Sequence, residues 1–306
     1  MIDRPLLEEL VAEARLAPSV HNIQPTRWRL AGDDILVLAD PARTLPVADP
    51  SGHDVRLSHG AAVEGLALAL GKRGLRIAGI ELHTEPASAE DRLLPVATLR
   101  LAANGAPDPL AAAVPHRQSW RGRFDVRAGR SDTASAGIGT EQDDLVLIED
   151  DERVARIATL ADRAGLHFLC EAEHRRELLA WMRLSPRHPR YAMDGLNAEA
   201  LAMGRLEACG AGLVLGPLFE PLRALGLAGV LTSESAKIHS GAIALFHRPI
   251  GEDPFLTGRA FYRAWLGLTQ RGFSASRARP SATGSICATM PASSSTARRS
   301  FAAASG

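Results

Sequence analysis

The chain has 306 residues, 46% of them hydrophobic and 23% charged, enough to bury a full core as one large or two medium units. Its 35 Lys and Arg balance 35 Asp and Glu, so no net field draws it to nucleic acid or to an anionic membrane surface, and a small-molecule partner is left by elimination. Cys170, Cys209 and Cys287 are scattered without Cys-x-x-Cys spacing, which fits a reducing compartment better than a disulfide framework.

From the N-terminus, Met1 to Glu9 has neither the basic start nor the apolar run of a signal peptide, and no later stretch approaches the ~18 apolar residues of a membrane span; the expected location is the cytoplasm. Leu6, Leu7, Leu10, Val11 and Ala14 fall at helical spacing behind Asp3, a natural N-cap, predicting a helix over 5–16 that Pro18 stops. After a polar loop, 28–30 and 35–38 around Gly32-Asp33 predict a hairpin. A second helix is expected over 58–73, ended by Gly74, then strands near 77–82 and 96–101. A Pro- and Ala-rich linker leads to an Arg-rich segment at 117–124. The second half predicts a strand at 145–148, helices near 152–165, 168–182 and 197–208, a strand at 242–246 and a helix over 257–271. The Pro- and Arg-containing stretch from Leu184 to Leu196 reads as a helical lid.

Residues Gly60–Leu75 align without gaps on Gly258–Phe273, six of sixteen positions being identical, with matching glycines at both ends. This points to duplication of an α/β unit, and a duplicated unit packed on itself would imitate a symmetric dimer. The expected division is a first half at 1–106, a second at 107–273, and a Ser-, Ala- and Arg-rich tail at 274–306 that reads as disordered or as the product of a frame shift.

Three clusters carry candidate chemistry. The loop Ala17-Pro-Ser19-Val-His21-Asn22-Ile-Gln24-Pro25 gathers a hydroxyl, an imidazole and two carboxamides; carboxamides both donate and accept, and so suit an edge of alternating donors and acceptors. The run His116-Arg117-Gln-Ser119-Trp-Arg121-Gly-Arg123-Phe124 offers guanidinium forks and a hydroxyl to a phosphate monoester. The turns at Gly74-Leu75 and Gly272-Phe273-Ser274 allow close approach of backbone to a ligand. Each cluster alone is also what a capped loop, a solvated basic loop or a helix stop would show.

Together with Asp40-Pro-Ala-Arg-x-Leu-Pro46 and Ser58-His-Gly60-Ala-Ala62, the loop motif and the Arg117-x-Ser119-x-Arg121-x-x-Phe124 motif resemble the nitroreductase family, especially its Acg-type branch, over roughly residues 5–273. The resemblance implies an α+β, nitroreductase-like fold of two fused pseudo-symmetric halves with antiparallel or mixed sheets flanked by helices. It implies one FMN per chain, with Arg117, Ser119 and Arg121 on the phosphate and ring edge, Ser19, Asn22 and Gln24 on the ring, and Gly272, Phe273 and Ser274 near N5. NADH or NADPH would be the transient reductant and an electron-poor small molecule, such as a nitroaromatic or quinone, the acceptor. The chain would then be a pseudo-dimer able to act as a monomer. His21 is the candidate proton donor, imidazole titrating near neutrality. The rival class is a flavin-sequestering or sensor protein with little reductase turnover. Two departures stand out: the aromatic of the usual Gln-Pro-Trp is displaced to Trp28, and the tail lacks the family's final ordered segment, which often carries a basic residue near the phosphate. Arg298 and Arg299 are poor substitutes.

Several patterns are absent from the chain. There is no Gly-x-Gly-x-x-Gly after a strand, no P-loop, no His-Glu-x-x-His and no Gly-x-Ser-x-Gly. Cys170 and His174 at i, i+4 do not make a metal site, and none is expected.

Overall fold

The computed structural model describes residues 2–83, 92–121, 144–229, 242–278 and 285–291; Arg123, Phe124, Arg298 and Arg299 of the sequence motifs lie outside them. The chain divides into two compact units, the first comprising Met1–His116, Leu169–Phe219 and Arg248–Leu266, the second Arg117–Phe168, Glu220–His247 and Gly267–Gly306. Helices and antiparallel sheets make it a mixed α+β protein.

In the first unit, α1 (Arg4–Ala14) begins as its sequence predicts, with Asp3 accepting from the Leu6 amide at 2.9 Å. Strands β1 (Thr26–Ala31) and β2 (Asp34–Ala39) form the predicted hairpin, Ala31 opposite Asp34, with Gly32 at φ +64 in the two-residue turn. Helix α2 (His53–Gly71) starts five residues earlier than its periodicity suggested. Strands β3 (Leu75–Leu82) and β4 (Leu94–Ala103) complete an antiparallel sheet of order β1-β2-β4-β3. The apolar face of this sheet, with Ile35, Val37, Ala97 and Leu99, packs on Leu10 of α1 and Val63, Leu66 and Leu70 of α2.

In the second unit, α3 (Asp151–Cys170) lays Val154 and Ala158 on a sheet formed by β5 (Leu145–Ile148), β8 (Ala242–Phe246), β9 (Phe273–Ala278) and β10 (Ser285–Pro291), in the order β5-β8-β10-β9. The backbone of 274–278 and 285–291, within the low-complexity tail, is thus paired as strands.

Two expectations of the second half are corrected. The stretch 184–195 is a looped excursion instead of a helix, between α4 (Ala172–Trp181) with β6 (Met182–Arg183) and β7 (Leu196–Asn197), which pairs in parallel with β6; Pro186 and Pro189 deny it a helical ladder. The helix expected over 197–208 is displaced to α5 (Arg205–Leu215), followed by α6 (Phe219–Ala224). Asn197 holds its own turn, accepting from Ala200 N at 2.7 Å and donating to Tyr191 O at 3.1 Å, the competition with helix that Asn side chains favour. Gly204 then donates its N–H to Glu207 at 2.7 Å and starts the helix there.

The last helix, α7 (Pro254–Gln270), crosses α2 with backbone against backbone. A Cβ placed on Gly60 would lie 1.8 Å from Phe255 O, and one on Gly258 would lie 1.9 Å from Leu57 O. Ion pairs flank the crossing: Glu64, only 4% exposed, takes Arg259 and Arg263 at 2.8 Å, and Arg56 grips Asp253 at 2.6 Å. The Arg56 hydrogen bond is the main cause that holds the Asp253 carboxyl below its ordinary range. Gly60→Ala or Gly258→Ala is expected to cost at least ~3 kcal/mol, because neither helix backbone can yield the space; urea unfolding measures this, and a loss under ~1 kcal/mol would show the two helices to be farther apart than described.

Candidate functional site

The loop after α1 is built from unusual backbone. His21, Asn22 and Gln24 have φ of 44, 53 and 53, conformations that non-glycine residues hold only when their surroundings fix them. The surroundings are visible. Val20 N donates to Ser58 Oγ of α2 at 3.0 Å, and Ser58 in turn donates to Asp54 O at 2.7 Å. Gln24 N donates to Ser19 Oγ at 3.1 Å, and Gln24 Nε2 to Asn22 Oδ1 at 2.7 Å. The structure therefore brings Ser19, Asn22 and Gln24 together as one hydrogen-bonded group. Val20 and Ile23 point inward against Leu45, with Trp181 alongside.

A clasp closes on this loop from the 184–195 excursion. Asn22 Nδ2 donates to Gly195 O at 3.0 Å while Gly195 N donates to Asn22 O at 2.9 Å. Beside it, Asp194, 2% exposed, receives Arg43 at 2.9 Å, Arg183 at 3.1 Å and also Arg190. Arg43 additionally donates to Ile23 O at 2.6 Å. Asn22's side chain is thus engaged on both its groups, and among the described residues the Ser19 hydroxyl hydrogen and the Gln24 Oε1 have no recorded partner.

His59 of α2 is buried, with Nδ1 2.9 Å from Thr26 Oγ1 and Nε2 without a hydrogen-bond partner among the described residues. Burial first, then the charges of Arg56 and Arg27, push its pKa down to about 3, so it stays neutral and ties α2 to β1. The unfolded chain takes up this proton near pH 6.5 and the folded one does not until about pH 3, so the contribution is intact above 6.5 and declines as the pH falls through that window, by at most about 1.4 kcal/mol per unit. His59→Phe is expected to flatten the acid limb of a stability-versus-pH curve between pH 6.5 and 4; an unchanged slope would mean that His59 is protonated in the fold.

A cavity of about 690 Å³ opens in the first unit between α1, β1 and the clasp, bordered by Gln24, Trp28, Arg15, Arg29 and Met193. Its volume is that of a ligand site.

The second unit holds the other sequence-predicted residues. The 3₁₀ run Pro109–His116, which buries Ala111, Ala113 and Val114 in the first unit, immediately precedes Arg117. Trp120 packs on the Val154, Ala158 and Ile243 cluster, which fixes the segment carrying Arg117, Ser119 and Arg121. Arg117 is partly buried, with Nε and Nη1 shielded from solvent, whereas Ser119 is exposed. Gly272, at φ +86, ends α7, and Phe273 is buried at the start of β9. For Ser274, only its backbone place in β9 is described. The guanidinium forks and hydroxyl of the second unit are of the kind that a phosphate takes, and the carboxamide and hydroxyl groups of the first unit are of the kind that a ring edge takes.

The sequence signalled the loop but not its clasp. Arg43 stood in the Asp40-Pro-Ala-Arg motif, where Asp40 accepts from Ala42 N at 3.0 Å and pairs with Arg27 at 2.7 Å. Asp194 has Arg190 at i,i+4, but its partner Arg43 is far away in sequence. His59 lay inside the Ser-His-Gly motif without an assigned task.

No protein-family model matches the chain. It is 26% identical over 189 residues to two Mycobacterium tuberculosis proteins, "Putative NAD(P)H nitroreductase MT3217" of strain CDC 1551 / Oshkosh and "Putative NAD(P)H nitroreductase Rv3131" of strain ATCC 25618 / H37Rv, covering 58% of this chain and 52% of each of them. The chain therefore spans about half the length of these curated relatives. No described helix is long and apolar enough to cross a membrane. With the sequence motifs, this similarity supports a relationship to the nitroreductase family.

Proposed function

We propose that the chain is an FMN-binding oxidoreductase, of the Acg type, that passes hydride from NADH or NADPH to an electron-poor small molecule such as a nitroaromatic or quinone. The observation that carries this reading is the loop in which Ser19, Asn22 and Gln24 are drawn into one hydrogen-bonded group on strained backbone, in a relative of proteins named for NAD(P)H nitroreduction. The flavin, when bound, supplies hydride acceptance and donation at N5.

The protein groups bind and orient. Arg117 and Arg121 neutralise the phosphate, with Ser119 adding a hydroxyl. Gln24 Oε1 and the Ser19 hydroxyl are the loop groups left to meet a ring edge, while Asn22 holds Gln24 in place. Backbone N–H groups at Gly272, Phe273 and Ser274 are assigned to N5, where a preorganised donor stabilises developing negative charge. His21 is assigned as proton donor. The crossing of α2 and α7 also supports duplication: Gly258 occupies in the repeat the place of Gly60, and Phe255 that of Leu57, so the contact of Gly60 with Phe255 and of Gly258 with Leu57 maps onto itself as across a dyad.

A second reading, flavin sequestration with little turnover, is favoured by the clasp, since Asn22 and Asp194 bind 184–195 down on the loop. The purified protein is expected to show bands near ~370 and ~450 nm. Arg117→Ala with Arg121→Ala should abolish them, each lost charged hydrogen bond being worth roughly 1.5–3 kcal/mol; undiminished flavin content in that variant would end the assignment of these arginines. Bleaching by NADPH followed by reoxidation with a quinone is the result expected of the reductase. A yellow protein that stays oxidised points to sequestration, and Asp194→Asn, which loosens the clasp, should then restore reduction.

A further inference from the structure

The cavity beside the loop is strongly basic in a chain of zero net charge: six arginines border it against Glu8 and Asp194. Four of the six are already paired with a carboxylate, Arg4 with Glu8, Arg27 with Asp40, and Arg43 and Arg190 both with Asp194. Arg15 and Arg29 are not; neither has a carboxylate partner among the described residues. They belong to different elements, Arg15 following α1 and Arg29 in β1, and Trp28 of β1 also borders the cavity. Leu7, Val11 and Met193 supply apolar lining. Two uncommitted guanidiniums, an indole and an apolar floor are what a phosphorylated aromatic ligand requires: forked donors for a dianion and a face for a planar ring.

We propose that this cavity is a nucleotide site, in which Arg15 and Arg29 hold a phosphate monoester and Trp28 stacks on a base. Resting on the reductase reading, the occupant is the 2′-phosphoadenosine end of NADPH, so that the site selects NADPH over NADH. Gln24, assigned above to the flavin edge, also borders the cavity, which puts its occupant beside the redox loop. A uniform binding contact remote from the reacting atoms lowers KM without raising kcat.

The test is calorimetric titration with 2′,5′-ADP, and with 5′-AMP as the control lacking the 2′-phosphate, on wild type, Arg15→Ala/Arg29→Ala and Arg15→Lys/Arg29→Lys. Both positions are exposed, so the variants should fold normally. Wild type is expected to bind 2′,5′-ADP at least about tenfold more tightly than 5′-AMP. The double alanine variant should lose that preference, each arginine contributing roughly tenfold, and the lysine variant should retain part of it. In turnover, KM for NADPH should rise in the alanine variant with kcat and flavin content unchanged. Binding of 2′,5′-ADP that is absent, indifferent to both arginines, or displaced one for one by FMN overturns the proposal. Arginine-dependent binding in a protein that never oxidises NADPH keeps the site and removes the reductase. Turnover without an arginine-dependent preference for NADPH does the reverse.

Discussion

Everything described in the first unit depends on how close α2 and α7 can come. Helices normally keep 8–10 Å between axes because side chains stand between them; here Gly60 and Gly258 remove those side chains and each faces a carbonyl of the other helix. Farther along α2, Gly65 lets α1 approach, a Cβ there lying 3.2 Å from Ala14. Helix α2 is therefore pinned between two neighbours. Its other residues inherit that fixity: Ser58 receives the Val20 amide and His59 meets Thr26. A loop that needs three non-glycine residues at positive φ can persist only on such a support, since each costs of order 1–3 kcal/mol.

The ion pairs at the crossing extend this logic. Glu64 is buried, and a lone buried carboxylate would be costly, but two arginines from α7 reach it and Arg263 continues to Asp108 at 2.9 Å. Asp108 caps the 3₁₀ run by accepting from Leu110 N at 2.9 Å. The charge network thus fixes the register of α7 on α2 and anchors the segment that leads to Arg117.

Local patterns in the sequence were decisive where local physics is. The Asp3 cap, the Gly32-Asp33 turn and the strands 145–148 and 242–246 were legible because each is set by neighbours in the chain. The helix expected over 197–208 failed for a reason equally local but hidden: apolar spacing suggested helix, whereas the Asn197 carboxamide serves its own turn. The start of α2 at His53 was missed because Gly52, at φ +69, is an N-cap without a side chain. The candidate site was legible in its residue types only. That Asn22 would meet Gly195, and that Asp194 would reach Arg43, follows from long-range packing that no spacing rule contains.

Arginine is the side chain through which this chain does most of its sorting. Where a guanidinium finds a carboxylate, as in Arg27 with Asp40 or Arg183 with Asp194, its charge is spent on holding elements in register. The neutral state of His59 follows first from its burial and then from the same arginines, for a third cation next to Arg56 and Arg27 would be repelled as well as desolvated. A guanidinium that lines a concavity without a carboxylate keeps its full field for something that arrives from solution. Arg15 and Arg29 are of that kind, and in a protein of zero net charge the contrast between satisfied and unsatisfied arginines is a sharper guide to ligand chemistry than the total of either.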